Sequence, residues 1–172
     1  MTKELVQSFT KRISNGNRSE IIVVLFDIFM AYEADARAAL LEIKQARVAK
    51  NTTQKIAATK AYREGIRHAS MVLRHLEDDL DFDQEISNQL FTLYTYCERA
   101  LARATYKEDL HIFDQVEKVM GELREAFVAV ASEDTSAPLM VNTEKFVAGY
   151  TYGKTDVKEM AVNFDISRGF LA

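Results

Sequence analysis

The sequence predicts an all-α protein, an antiparallel up-down four-helix bundle, and three observations carry that expectation. Strong helix breakers are scarce, with 6 Gly and 1 Pro among 172 residues, and the single proline, Pro138, sits close to the C-terminal end, so long uninterrupted helices are the default. Apolar residues recur at steps of three and four in four separate stretches. The links between these stretches are only a few residues long. They cannot carry the chain back along a helix about 35 Å long, so neighbours must run antiparallel.

The first stretch, about 18–48, places Ile22, Leu25, Phe29, Tyr32, Ala36, Ala39 and Ile43 on one face. Asn17 or Ser19 can cap it, with Glu20 at the positive end of the helix dipole. After a polar break at Asn51-Thr-Thr, the second stretch, roughly 53–80, repeats the beat through Tyr62, Ile66, Ala69, Leu73, Leu76 and Leu80. The acidic run Glu77-Asp-Asp-Leu-Asp-Phe-Asp disfavours a helix C-terminus and favours the next N-terminus, so a short turn belongs at about 81–84. The third stretch, about 84–105, carries Ile86, Leu90, Leu93, Cys97, Leu101 and Ala104. The fourth, about 108–131, carries Phe113, Val116, Met120, Leu123, Phe127 and Val130. The chain thus divides into an N-terminal arm at 1–17, a bundle at 18–131 and a C-terminal extension at 132–172. The extension opens on the turn-rich Ser-Glu-Asp-Thr-Ser-Ala-Pro, yet it holds Phe146, Tyr150, Tyr152, Phe164, Phe170 and other apolar residues. That density predicts partial docking, with 139–171 folding back on the bundle as an internal pseudo-client.

Lys and Arg number 22 and Asp and Glu 26, a formal net charge of −4. The charges are interspersed, so no basic footprint for nucleic acid is expected. The single cysteine, Cys97, cannot form an internal disulfide, which fits a reducing compartment and a cytoplasmic protein. The N-terminal residues lack a signal-like apolar stretch, and the greasiest run, Ile21 to Tyr32, is short and contains Asp27. Membrane insertion is therefore not expected.

Catalytic and metal motifs are sparse. A di-iron bundle needs two Glu-x-x-His pairs, and only Glu108-x-x-His111 has that spacing; Gly65 and Val72 precede His68 and His75 by three residues. Asp79, Asp81 and Asp83 open like a calcium loop, but its sixth and twelfth positions hold Gln84 and Leu90 instead of Gly and Glu. Cys97 reads as a buried reduced thiol. No cofactor or metal is expected, and an enzyme is disfavoured.

What stands out is surplus apolar surface. Eleven of the twelve residues from Ile21 to Tyr32 are apolar or aromatic, so a second stripe through Val23, Phe26 and Met30 must be covered by something. Phe91, Tyr94 and Tyr96 lie beside the core register of the third stretch, and Ile112, Val119 and Ala126 flank that of the fourth. Enclosure within the monomer and a groove for a partner helix both satisfy this pattern.

Residues 80–104, Leu-Asp-Phe-Asp-Gln-Glu-Ile-Ser-Asn-Gln-Leu-Phe-Thr-Leu-Tyr-Thr-Tyr-Cys-Glu-Arg-Ala-Leu-Ala-Arg-Ala, resemble the most characteristic segment of the FliS-type flagellar export chaperones. The features fall on Leu80, Asp81, Glu85, Ile86, Leu93, Tyr94, Tyr96, Arg99 and Leu101. Leu25-Phe26-Asp27 with Asn17 upstream, and Glu122-Leu-Arg-Glu-Ala-Phe127 downstream, extend the likeness over about 9–131. Phe26 stands where the family usually has Tyr, and Arg18 where Pro is common. The resemblance implies a cytoplasmic chaperone that binds the C-terminal segment of flagellin, prevents its premature polymerisation and aids delivery to the flagellar export gate, with no nucleotide or other cofactor. Phe26, Met30, Phe91, Tyr94, Tyr96, Ile112 and Val119 are the candidate client groove. The resemblance also implies that Phe9 and Ile13 of the arm cap part of that surface. Self-association stays open. The competing classes are a helical scaffold or adaptor for another protein and, further off, a metal-binding bundle enzyme.

Overall fold

The structure, a computed structural model, describes residues 1–140; the expected fold-back of the extension falls, from 141 onward, outside the described residues. Five helices follow one another, and no strand occurs among the described residues: α1 (Lys3–Asn15), α2 (Arg18–Val48), α3 (Thr52–Asp78), α4 (Glu85–Lys107) and α5 (Leu110–Glu133). Four-helix counting is thereby corrected. The N-terminal arm is itself a helix, begun by the Thr2 hydroxyl accepting from the Leu5 amide, and its buried anchor is Phe9.

The caps explain the boundaries. Asn17 and Glu20 form a reciprocal capping box at the start of α2, satisfying two amides that would otherwise lack partners. The Asn51 and Asp109 side chains accept from Gln54 N–H and His111 N–H at the starts of α3 and α5. α4 ends on Glu108, held in the left-handed region at φ 50°, where its carboxylate pairs with Arg47.

Cross-contacts fix the order of packing. The Tyr32 ring of α2 meets that of His68 of α3, tilted by 47° with centroids 4.7 Å apart, and the Tyr62 hydroxyl of α3 donates to the Ala104 carbonyl of α4 at 2.6 Å. Tyr96 of α4 reaches Gln115 of α5, and Arg37 of α2 binds Asp114 and Glu117 of α5. The long helices therefore close a ring, α2–α3–α4–α5–α2, with early residues of one beside late residues of the next. α1 doubles back along α2, its Arg12 on Asp27 and the terminal amine on Asp35.

The core runs through Phe26, Phe29, Leu40, Ile43, Leu73, Tyr94, Leu101, Phe113 and Met120. Two phases differ from the sequence expectation. In α2, Ile22, Leu25 and Tyr32 are half-buried while Phe26, Glu33 and Leu40 are buried, because α1, α3 and α5 all pack on this helix. In α4, the Ser87 hydroxyl donates to the Asp81 carbonyl at 2.6 Å, which holds Ser87 inward and leaves Ile86 exposed. Cys97 is buried in this core, and burial pushes its thiol up to about 12, so it stays protonated and unreactive.

The last described stretch is tied to the corner between α1 and α2. Leu139 N–H donates to the Gly16 carbonyl at 3.2 Å. The Asn17 amide donates to the Asp134 carbonyl at 3.0 Å, and the Ser19 hydroxyl donates to the Asp134 carboxylate, holding it down at about 2.

Candidate functional site

The candidate groove residues are distributed over three places. Phe26 and Tyr94, expected beside the core register, are sealed inside it, and that expectation is corrected. Their rings lie 6.4 Å apart, and Phe26 also packs on Phe127 at 5.2 Å. Burial, then Cys97 and Glu77, raise the Tyr94 hydroxyl to about 12. Both side chains belong to the wall behind any surface site.

One seam gathers most of the remainder. Tyr96 donates to Gln115 Oε1 at 3.4 Å, which sets α4 against α5. On the α4 side, Ile86 and Leu93 share a face at a spacing of seven, and Tyr96 follows Leu93 at three. On the α5 side, Ile112, Gln115, Val119, Leu123 and Ala126 follow the same steps. Ile86 is 56% exposed, Leu93 36% and Tyr96 40%, Val119 is half-buried, and Ile112 is buried at the floor. Ile86 and Leu93 were expected in the core. They instead supply the most open apolar side chains of this seam, because the α4 seam that turns inward is Ser87, Tyr94, Cys97 and Leu101.

Phe91 is not part of this seam. It falls on the α3 side of α4, as does Glu98, whose carboxylate takes Arg74 of α3 at 3.1 Å. There Phe91 packs edge-on against Phe82 at 5.8 Å, and both rings are exposed. Met30 is half-buried on the α5 side of α2, three residues from Asp27 and seven from Arg37. Sequence spacing could not separate these flanks without knowing which helices are neighbours.

The arm occupies yet another face. Phe9 is buried and Ile13 half-buried, and Lys11, Arg12 and Asn15 line a cleft with Val23 and Val24 of α2 and Val128 and Ala131 of α5. Asp27 is the latch: its two carboxylate oxygens take Arg12 of α1 and Arg124 of α5 separately. One acid thus holds three helices. Phe9 and Ile13 therefore cover the α2 side and not the α4–α5 seam.

The remaining reactive-looking groups are placed as follows. Glu108 is engaged by Arg47, His111 lies 3.7 Å from Asp114, and the His68 ring packs tilted against Tyr32. Among the described residues, no group of three His, Cys, Asp or Glu converges as a metal site would require, and no helix is long and apolar enough to cross a membrane. Glu33 is the site residue that sequence reading missed. It lies 2% exposed within the core, with Oε1 lacking a hydrogen-bond partner, and burial first, then Glu117, raise its carboxyl to about 7. Its position four residues after Phe29 and three before Ala36 was the available signal.

The described residues thus form an all-helical bundle with an open apolar seam between α4 and α5 and a separately latched arm. The chain belongs to the FliS family of flagellar export chaperones: the family model described as flagellar protein FliS matches residues 1–134. No curated protein matches the chain.

Proposed function

We propose that this chaperone binds the C-terminal segment of flagellin in the cytoplasm, keeps it from polymerising early and presents it to the flagellar export gate. The observation that carries the proposal is the α4–α5 seam, where Ile86, Leu93 and Tyr96 remain open beside Val119. A disordered client segment that becomes helical on this strip would bury a few hundred Å² of apolar area, and at about 25 cal/mol per Å² that burial offsets the cost of ordering it. Phe82 and Phe91, on the other flank of α4, extend the strip for a client that wraps around the α3–α4 end, and Met30 lines the next seam round the ring.

The direct test is calorimetric titration of a flagellin C-terminal peptide into the full chain. One-to-one binding without turnover is expected. The double variant Leu93→Glu/Tyr96→Glu should weaken it by roughly 30- to 100-fold, the loss of two anchoring side chains, while the thermal midpoint stays within a few degrees, because both residues are exposed. Unchanged affinity would remove the seam from the proposal, and a collapse of the fold would reassign the pair to the core.

We further propose the arm as a cap. The arm lies over Val23 and Val24, apart from the α4–α5 seam, so it competes with a client that continues past the seam onto this face, and removing residues 1–15 should tighten the apparent affinity by about 3- to 10-fold. Equal or weaker binding by the truncated chain would show that α1 has no capping role.

A further inference from the structure

The outer face of α3 carries charge of the sign opposite to that of the whole protein. Ile56, Lys60, Arg63, Arg67, Met71 and Arg74 follow one another at steps of four, three, four, four and three, so they form one stripe, about 27 Å long at 1.5 Å per residue. It lies opposite the buried seam of Ala58, Tyr62, Ile66, Ala69 and Leu73. The stripe holds four cations in a chain with a formal net charge of −4. Its apolar members are open to solvent, Ile56 at 66% and Met71 at 45%. Arg63 has no ion-pair or hydrogen-bond partner among the described residues, and Lys60 only approaches Glu64 at 4.0 Å. Arg74 is shared with Glu98, and Arg67 lies against His68. Shallow grooves run along this helix on both sides of Arg63, one lined by Lys55, Ile56 and Thr59, the other by Ile66, Met71 and Thr105.

We propose that this stripe is a second docking surface, separate from the α4–α5 seam, and that its occupant is an acidic amphipathic helix of another protein. Three observations select that chemistry. The cations recur at helical spacing, so carboxylates spaced three and four apart on a partner helix meet them in register, with the guanidinium groups able to engage a carboxylate through two bonds. Ile56 and Met71 punctuate the stripe, which gives apolar residues of the same partner face a place to bury. The stripe is one helix wide and ends in the acids Glu77, Asp78 and Asp79. A nucleic-acid backbone or an anionic membrane, presenting negative charge over a wider area, would be repelled by those acids and by the acidic remainder of the molecule.

The test uses the full chain and a fluorescein-labelled synthetic 20-residue amphipathic helix, with Glu at three- and four-residue steps beside Leu. Anisotropy should show saturable binding at tens of micromolar, weakening as salt rises. Arg63→Glu/Arg67→Glu should lose about tenfold or more, with an unchanged melting curve, since both side chains are exposed. A peptide with Lys in place of Glu should bind that variant better than it binds the parent. If charge reversal disturbs folding, Arg63→Gln/Arg67→Gln serves instead, with a smaller loss expected. Leu93→Glu/Tyr96→Glu should leave the acidic peptide's binding intact, which separates this surface from the client seam. Failure of the acidic peptide to bind at about 100 μM, or equal binding by a duplex DNA 20-mer or by phosphatidylglycerol vesicles, overturns the proposal.

Discussion

Gly65→Ala is expected to destabilise the protein even though alanine is the better helix former. A Cβ at position 65 would stand 2.9 Å from the Ala36 Cβ and 3.0 Å from its Cα and N. Two of those atoms are backbone, so the clash cannot be relieved by turning a side chain; α2 and α3 must separate. Helix propensity returns about 1 kcal/mol, while overpacking of this kind costs roughly 1–3 kcal/mol and sometimes more. The net loss should be up to about 2 kcal/mol for alanine and beyond 3 kcal/mol for valine, which adds branching at the same closest approach. Gly121→Ala is the matched control. Nothing lies within 4 Å of a Cβ there, so the same chemical change in the middle of α5 should stabilise by up to about 1 kcal/mol. Urea denaturation of both variants checks the pair, and a stabilised Gly65→Ala would show that the α2–α3 contact is loose.

Stability should also fall as pH rises from about 4.5 to about 7, because of one residue. The Glu33 carboxyl, raised by burial first and then by Glu117, titrates near 7 in the fold against 4.5 in an unfolded chain. Arg37 pulls the other way and Asp114 adds to the rise. The sign follows from which state holds the proton. Below 4.5 Glu33 is neutral in both states and costs nothing. Between 4.5 and 7 the unfolded chain ionises while the folded one does not, so unfolding gains. Above 7 the penalty is complete at roughly 3 kcal/mol, taken as an order of magnitude. Glu33→Gln keeps the shape and cannot ionise. Its advantage over the parent should be near zero at pH 4.5 and about 1–3 kcal/mol at pH 8. A constant difference across that range, read from denaturant midpoints, would remove Glu33 as the source. Glu33→Met offers a second variant should the amide itself find no partner, and it should give the same pH-independent baseline.

Much of the fold was legible because helix boundaries are written in local chemistry. Asn17, Glu20, Asn51 and Asp109 are short polar side chains at the positions where free amides need partners, and the first long helix begins and ends where the spacing predicted. Rotation about the helix axis was harder to read. In α4 two stripes overlap, one through Ile86 and Leu93 and one through Ser87 and Tyr94, and hydropathy favours the wrong one. The choice is made by a hydrogen bond from Ser87 to a turn carbonyl and by the packing of Tyr94 near Phe26, neither of which is periodic. The same limit applies to the site. Surplus apolar residues were countable in the sequence, but whether Phe91 and Tyr96 share a surface depends on which neighbour each flank meets. The helical state of the arm was not legible, since a single 13-residue helix gains most of its stability from docking Phe9, a tertiary event.

The Leu139 amide bonded to the Gly16 carbonyl makes the beginning and the end of the bundle one joint. Gly16 is where α1 stops, so a swing of the N-terminal helix about that point turns the very oxygen on which the departing chain is hung. A strain applied to α1 is therefore felt where the chain leaves this corner at Leu139, and the protection of the Leu139 amide from hydrogen exchange becomes a gauge of whether the arm is home.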